Sequence, residues 1–108
     1  MKFTTEYMNQ MLQVVLAGIA IKLTNYPSEF KELLDVMYRA YAMAEQAEYD
    51  KDTAKEDVKT VSRIQKELDG IGAGGEIHAC ADFLGMCRGM NAEQDELWNS
   101  IQEFEQSL

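Results

Sequence analysis

Residues 53–70 read TAKEDVKTVSRIQKELDG and form the clearest helical pattern in the chain. Thr53, followed three residues later by Glu56, predicts a capping box, in which both side chains bond backbone N–H groups at a helix start. Gly70 suits the left-handed conformation that ends many helices. Between these signals, apolar residues recur at helical spacing on a charged surface, as Val58, Val61, Ile64 and Leu68. This stretch therefore predicts an amphipathic helix with one face packed against other elements.

Four more helices are predicted around it. The first spans about residues 5–25 and is apolar over most of its circumference, so it is expected at the centre of the fold. Pro27 starts the second helix, which runs towards Tyr49 and breaks at residues 50–52. The fourth spans about residues 76–90. Asn91 and Gln94 then predict a second capping box that opens a fifth helix.

Together these patterns predict an all-α fold, a compact bundle of four to five helices. A chain of 108 residues accommodates one domain, residues 1–108, with one modest core. The face predicted to be buried in the first helix includes Met8, Leu12, Ile19 and Leu23, widened by Val14 and Ile21. The fifth helix is expected to bury Leu97, Trp98, Ile101, Phe104 and Leu108.

Charge is the most informative feature of the composition. The net charge is −9, from 19 acidic and 10 basic residues. That sign disfavours direct binding of nucleic acid or of an anionic membrane, and it favours a basic protein surface. Residues 76–108 hold seven of the acids and a single base, Arg88. The excess of negative charge is thus concentrated in the last third of the chain.

The acids of the fifth helix lack the lysines that support carboxylates at i, i+4 spacing in most exposed helices. A basic partner would relieve their repulsion, so this face is predicted to bind one, with Glu76 and Asp82 nearby and Met43 as an exposed apolar contact. The acids of this predicted face are Glu93, Asp95, Glu96, Glu103 and Glu105.

The expected function is accordingly that of a non-enzymatic inhibitor or regulator that docks on a nucleic-acid-binding protein. In composition the chain resembles small acidic helical proteins with which phages antagonise host defence or DNA-processing enzymes, some by mimicking nucleic acid. This resemblance is one of composition and involves no shared motif.

Catalytic, metal and cofactor sites are not expected. His78 and Asp82 are helical neighbours, but Cys80 points away from both and Cys87 follows Cys80, so one helix does not gather these groups. The two cysteines are expected to be free buried thiols of a cytoplasmic protein, because their spacing on a helix is too wide for a disulfide. The N-terminus shows no signal-peptide pattern, and the apolar run of residues 14–21 is too short to cross a bilayer.

Two further features leave alternatives open. The glycine-rich loop at residues 70–75 leads into a predicted helix start, so the backbone N–H groups of Gly72, Gly74 and Gly75 could hold a small anionic ligand such as a nucleotide. The loop lacks the lysine of a phosphate-binding loop, and Glu76 places a negative charge beside it. Separately, Ala81, Gly85 and Gly89 form a line of small residues that allows close helix packing, either within the monomer or in a homodimer.

Overall fold

The structure, a computed structural model, describes the backbone of residues 4–107 and the side chains of residues 4–92, 103, 104, 106 and 107. The described elements are four helices: α1 (Thr5–Lys22), α2 (Pro27–Glu45), α3 (Lys51–Glu67) and α4 (Gly74–Ser107). The predicted all-α bundle is confirmed. The described helices number four because the predicted fourth and fifth helices form one continuous helix, α4.

The first three helices begin at residues whose chemistry explains the start. The Thr4 hydroxyl accepts a hydrogen bond from the N–H of Tyr7 at 3.1 Å, and Pro27 occupies the first turn of α2. Helix α3 begins earlier than predicted, because the Asp50 carboxylate accepts from the N–H of Thr53 at 2.8 Å. The predicted capping box at Thr53 is therefore wrong. The same bond lowers the pKa of Asp50.

The connection between α2 and α3 turns at a non-glycine residue with left-handed backbone. Ala47 has a φ of 59°, and its N–H donates to the carbonyl of Ala44 while the N–H of Glu48 donates to that of Met43. This is the Schellman arrangement, in which glycine usually holds the left-handed position. Helix α2 consequently ends at Glu45, short of the predicted end near Tyr49.

Helix α4 is the central element of the bundle. It has 34 residues, and its contacts with each of the other helices are more extensive than those that α1, α2 and α3 make with one another, whereas α1 contacts only α2 and α4 among the described helices. The prediction that α1 is central is therefore wrong, and its Val14 and Ile21 are 62% and 76% exposed. The predicted break at Asn91 is also absent, because this side chain is buried within the helix and bonds the α2–α3 connection.

The core lies where α1, α2 and α3 pack on the first half of α4. From α1 it contains Met8, Leu12 and Ile19, as predicted, and Phe83 of α4 contacts Tyr41 edge-to-face with ring centroids 6.4 Å apart. Among the described side chains, none beyond Asn91 is buried. A 34-residue helix is about 51 Å long, against about 29 Å for the 19 residues of α2, so α4 accounts for the 60 Å long axis of the molecule.

Candidate functional site

A cluster of polar groups joins three helices around the buried side chains of Asp57 and Asn91. The Asp57 carboxylate, 3% exposed, accepts from Arg39 Nη2 at 2.6 Å and from the Tyr49 hydroxyl at 2.8 Å. Burial and the bond to Asp57 raise the pKa of Tyr49. Sequence analysis missed this cluster, because the helical stripe assigned the buried position to Val58 and not to its neighbour Asp57.

The same cluster continues into α4. Asn91 Oδ1 accepts from the Tyr49 N–H at 2.7 Å, and Asn91 Nδ2 donates to the Ala44 carbonyl at 2.8 Å. Arg88 Nη1 donates to the Tyr49 carbonyl at 3.1 Å. Among the described residues, every buried side-chain nitrogen and oxygen has a hydrogen-bond partner. A fully satisfied network of this kind fixes packing, so we assign the cluster a structural role.

The largest concave feature among the cavities described is a groove of about 780 Å³ between α3 and α4, here named the α3–α4 groove. Ala54, Val58, Leu84 and Gly85 supply its apolar lining. Ser62 and the acid Glu67 also line the groove. Six cations surround this floor, namely Lys51, Lys55, Lys59, Arg63, Lys66 and Arg88. A protein with a net charge of −9 thus has one strongly basic concave surface.

The cations of the groove differ in how far they are neutralised. Arg63 pairs with Glu67 at 2.9 Å and with Glu32, and Lys59 Nζ lies 3.2 Å from Glu56. The three remaining lysines make no ion pair within the described part of the chain, and they are Lys51, Lys55 and Lys66. The groove therefore retains positive charge after the internal pairs are counted.

The predicted acidic face belongs to the second half of α4, and residues 93–107 are here named the acidic segment. Its backbone continues the helix to Ser107. Glu103 is exposed, and Phe104, predicted to be buried, is 65% exposed. Four predicted site residues have side chains outside the described set, and these are Glu93, Asp95, Glu96 and Glu105.

Two other predicted site residues, both acids, lie away from that segment. Because α4 does not turn at Asn91, Glu76 is 17 positions, or about 25 Å, from Glu93 along the helix. Glu76 is also half-buried, 3.9 Å from Lys22 Nζ. Asp82 is exposed and lies 3.4 Å from His78 Nε2. Both acids were expected close to the fifth helix, and that expectation is wrong.

Met43 is not the exposed contact that was predicted. Its side chain is partly buried and packs against the core. The prediction placed it on a polar back of α2, and that placement is wrong because the position faces the core.

The glycine loop is shorter than predicted, because α4 begins at Gly74. Gly72 has a φ of 78°, but Gly74 and Gly75 already belong to the first turn of α4. Gln65 Nε2 donates to the carbonyl of Gly74 at 3.2 Å, and Ala73 is buried. No contact of the loop favours an anionic ligand over a simple connection, and the nucleotide alternative stays a prediction.

The candidate nucleophiles are poorly placed for chemistry. Cys80 and Cys87 are free and fully buried, and burial raises the pKa of each thiol to about 12. Within the described part of the chain, no three histidine, cysteine, aspartate or glutamate residues come together as a metal site would require. Likewise, no helix among the described residues combines the length and apolar character needed to cross a membrane.

The basic groove was missed although the sequence carried a signal for it. Lys51, Lys55, Lys59 and Arg63 recur every four residues, which places them along one side of α3. Counting charge by thirds of the chain hid this row among the acids of the same region.

Comparison of the chain with protein-family models, with curated proteins and with solved structures finds no match in any of the three.

Proposed function

We propose that this protein is a non-enzymatic protein-binding module whose acidic segment docks on a basic surface of a larger partner. One observation carries the proposal: the far end of the 34-residue α4 exposes both Glu103 and Phe104. An exposed aromatic ring beside a carboxylate supplies apolar contact area and charge selectivity at the same place.

The charge of the segment supports the same proposal. Residues 93–107 hold five carboxylates and no base, so no lysine or arginine of the segment offsets their mutual repulsion. A cationic surface would convert that repulsion into attraction. Nucleic-acid-binding proteins offer such surfaces, and the role that fits best is that of an inhibitor or regulator of one of them, as in phage antagonists of host defence.

The state of the reactive groups supports the non-enzymatic part of this proposal. The thiols of Cys80 and Cys87 are buried and protonated at neutral pH, so neither is a ready nucleophile. His78 is exposed beside Asp82, with Nε2 3.4 Å from the carboxylate. The buried carboxylate Asp57 has both oxygens engaged, by Arg39 and Tyr49.

The test is affinity capture with a pair of charge-matched variants. In the first variant Glu93, Glu96, Glu103 and Glu105 become Gln. In the control, four acids outside the segment are neutralised, namely Glu6, Glu45 and Glu48 to Gln and Asp69 to Asn. Both variants have the same net charge, so only the position of the removed acids differs.

We expect the captured partner to bind the first variant at least about fourfold more weakly, since four exposed pairs at about 0.2–1 kcal/mol each sum to about 0.8–4 kcal/mol. The control should bind as the wild type does. Equal losses in both variants would contradict the proposal, and so would a partner whose affinity is independent of ionic strength.

A further inference from the structure

The α3–α4 groove has no occupant within the described part of the chain, although it combines an apolar floor with a cationic rim. Leu84 is buried at its floor, and Val58 is 38% exposed there. A Cβ built on Gly85 meets no atom within 4 Å, so this position opens into free space. The lysine stems add apolar surface around it. An amphipathic helix with acidic edges fits such a surface.

The chain itself carries a helix of that chemistry. The acidic segment has five carboxylates, and the groove keeps three lysines, Lys51, Lys55 and Lys66, that make no ion pair within the described part of the chain. Its apolar residues recur at intervals of three and four, as one helix face requires, and they are Leu97, Trp98, Ile101 and Phe104. The exposed Phe104 shows that at least one of them is not covered within the monomer.

The lengths also agree. From Lys51 to Lys66, α3 covers 15 intervals, or about 22 Å. Residues 93–107 cover 14 intervals, or about 21 Å of helix. The cationic stretch of α3 and the acidic segment are therefore of similar length.

A segment cannot occupy the groove of its own chain. The groove is formed by the first half of α4, where Leu84 and Gly85 lie, and α4 continues as one helix into the segment. To fold back, the helix would have to break near Asn91, where the side chain is held by Tyr49 and Ala44. The complementary groove must then belong to another molecule.

We propose that two copies of this chain pair through antiparallel α4 helices, each placing its acidic segment in the α3–α4 groove of the other. Such a two-fold pairing is isologous and closes on itself. The exposed Gly85 lets the incoming helix approach closely. Because the bonds to Tyr49 hold the start of α3 beside Arg88 and Asn91, the antiparallel order brings the start of the segment to Lys51 and Lys55.

This pairing goes beyond the proposed function, since the groove is a separate surface and the dimer forms without any target. It also gives the acidic segment two competing partners. Self-association and target binding should exclude each other, because both use the same carboxylates.

The test is a charge swap followed by sedimentation velocity and light scattering. Lys51→Glu with Lys55→Glu should weaken dimerisation at least about tenfold, and so should Glu93→Lys with Glu96→Lys. All four changes in one chain restore opposite charges across the interface, and dimerisation should return. The charge-matched control is Lys22→Glu with Lys31→Glu, which should pair as the wild type does.

A second pair of variants tests the floor of the groove. The Cβ of Gly85→Leu meets no atom within 4 Å in the monomer, so the chain should fold and lose the dimer. Gly75→Leu, where a Cβ also meets no atom within 4 Å, should keep the dimer. Circular dichroism melting verifies folding in each case. A wild type that is monomeric at every concentration, a swap that does not restore pairing, or a dimer that tolerates Gly85→Leu overturns the proposal.

The two proposals fail in different ways. The variant with both groove lysines reversed keeps its acidic segment, so it should capture a target at least as well as the wild type. A wild type that captures a target but does not dimerise at any concentration removes only the pairing. A charge-dependent dimer without charge-dependent capture removes only the proposed function.

Discussion

Replacing Asn91 distinguishes a structural role, in which its side chain bonds Tyr49 and Ala44, from the predicted role as a helix N-cap. In Asn91→Ala the buried N–H of Tyr49 loses its acceptor, which costs about 1–3 kcal/mol. The Ala44 carbonyl loses one of its bonds but keeps that from the Ala47 N–H, which costs about 0.5–1.5 kcal/mol. Alanine regains roughly 0.5 kcal/mol of helix propensity. We expect a net loss of about 1–4 kcal/mol.

Asn91→Asp is the decisive comparison. As a helix N-cap, aspartate serves about as well as asparagine, so a capping role predicts a change near zero. An aspartate at this position would still accept from the Tyr49 N–H, but its second carboxylate oxygen would face the Ala44 carbonyl oxygen at a buried position. We therefore expect the free energy of unfolding to fall by about 2 kcal/mol. Urea unfolding at neutral pH measures both variants, with the exposed Asn9→Ala as the control for propensity. An Asn91→Asp protein within about 0.5 kcal/mol of wild type would refute the structural assignment.

Three further predictions concern backbone strain and buried thiols. Ala47→Gly should raise the free energy of unfolding by about 1 kcal/mol, because Ala47 has a φ of 59° that glycine adopts without strain. Gly72→Ala should lower it by about 1 kcal/mol for the opposite reason, since its φ is 78°. The pKa of Cys80 and of Cys87 is near 9 in the unfolded chain and about 12 in the folded one. As the pH rises above 9, the unfolded chain loses these protons while the folded chain keeps them, which favours unfolding. Their contribution to stability is complete below pH 9. Above that pH each thiol should lower the free energy of unfolding by about 1.4 kcal/mol per pH unit.

Matched measurements check each of these. For the glycine positions, Gly75→Ala is the reference, because its backbone is helical and a Cβ there meets nothing within 4 Å. A stabilising Gly72→Ala or a destabilising Ala47→Gly in urea unfolding would contradict the strain argument. For the thiols, urea unfolding at pH 8 and pH 10 of the wild type is compared with that of the Cys80→Ala, Cys87→Ala double variant. Equal pH dependence in the two proteins would show that the thiols are not the cause.

The sequence predicted the helices better than their ends. Apolar periodicity identified α3, and Pro27 marked the start of α2 correctly. The start of α3 was misplaced because Asp50 and Thr53 are both competent caps, and only the geometry of the preceding turn selects Asp50. At Asn91 the capping pattern was present, but a tertiary contact forty-two positions back along the chain took the side chain instead.

The surfaces were less predictable than the elements. The acidic charge of the last third is a property of sequence and was available at once. The basic groove depends on how the row of α3 lysines lies against α4, and that packing is a tertiary fact. Asp57 shows the same limit, since a helical stripe assigns burial to apolar neighbours and has no means to find a carboxylate whose partners, Arg39 and Tyr49, come from other elements.

The position of Asn91 also sets where this polypeptide can be shortened. A fragment that stops before it leaves the amide of Tyr49 enclosed and without an acceptor, although the missing residue lies far beyond the loop in the chain. Any minimal unit that keeps the four-helix arrangement must therefore extend through Asn91, and dissection by truncation should begin on its C-terminal side.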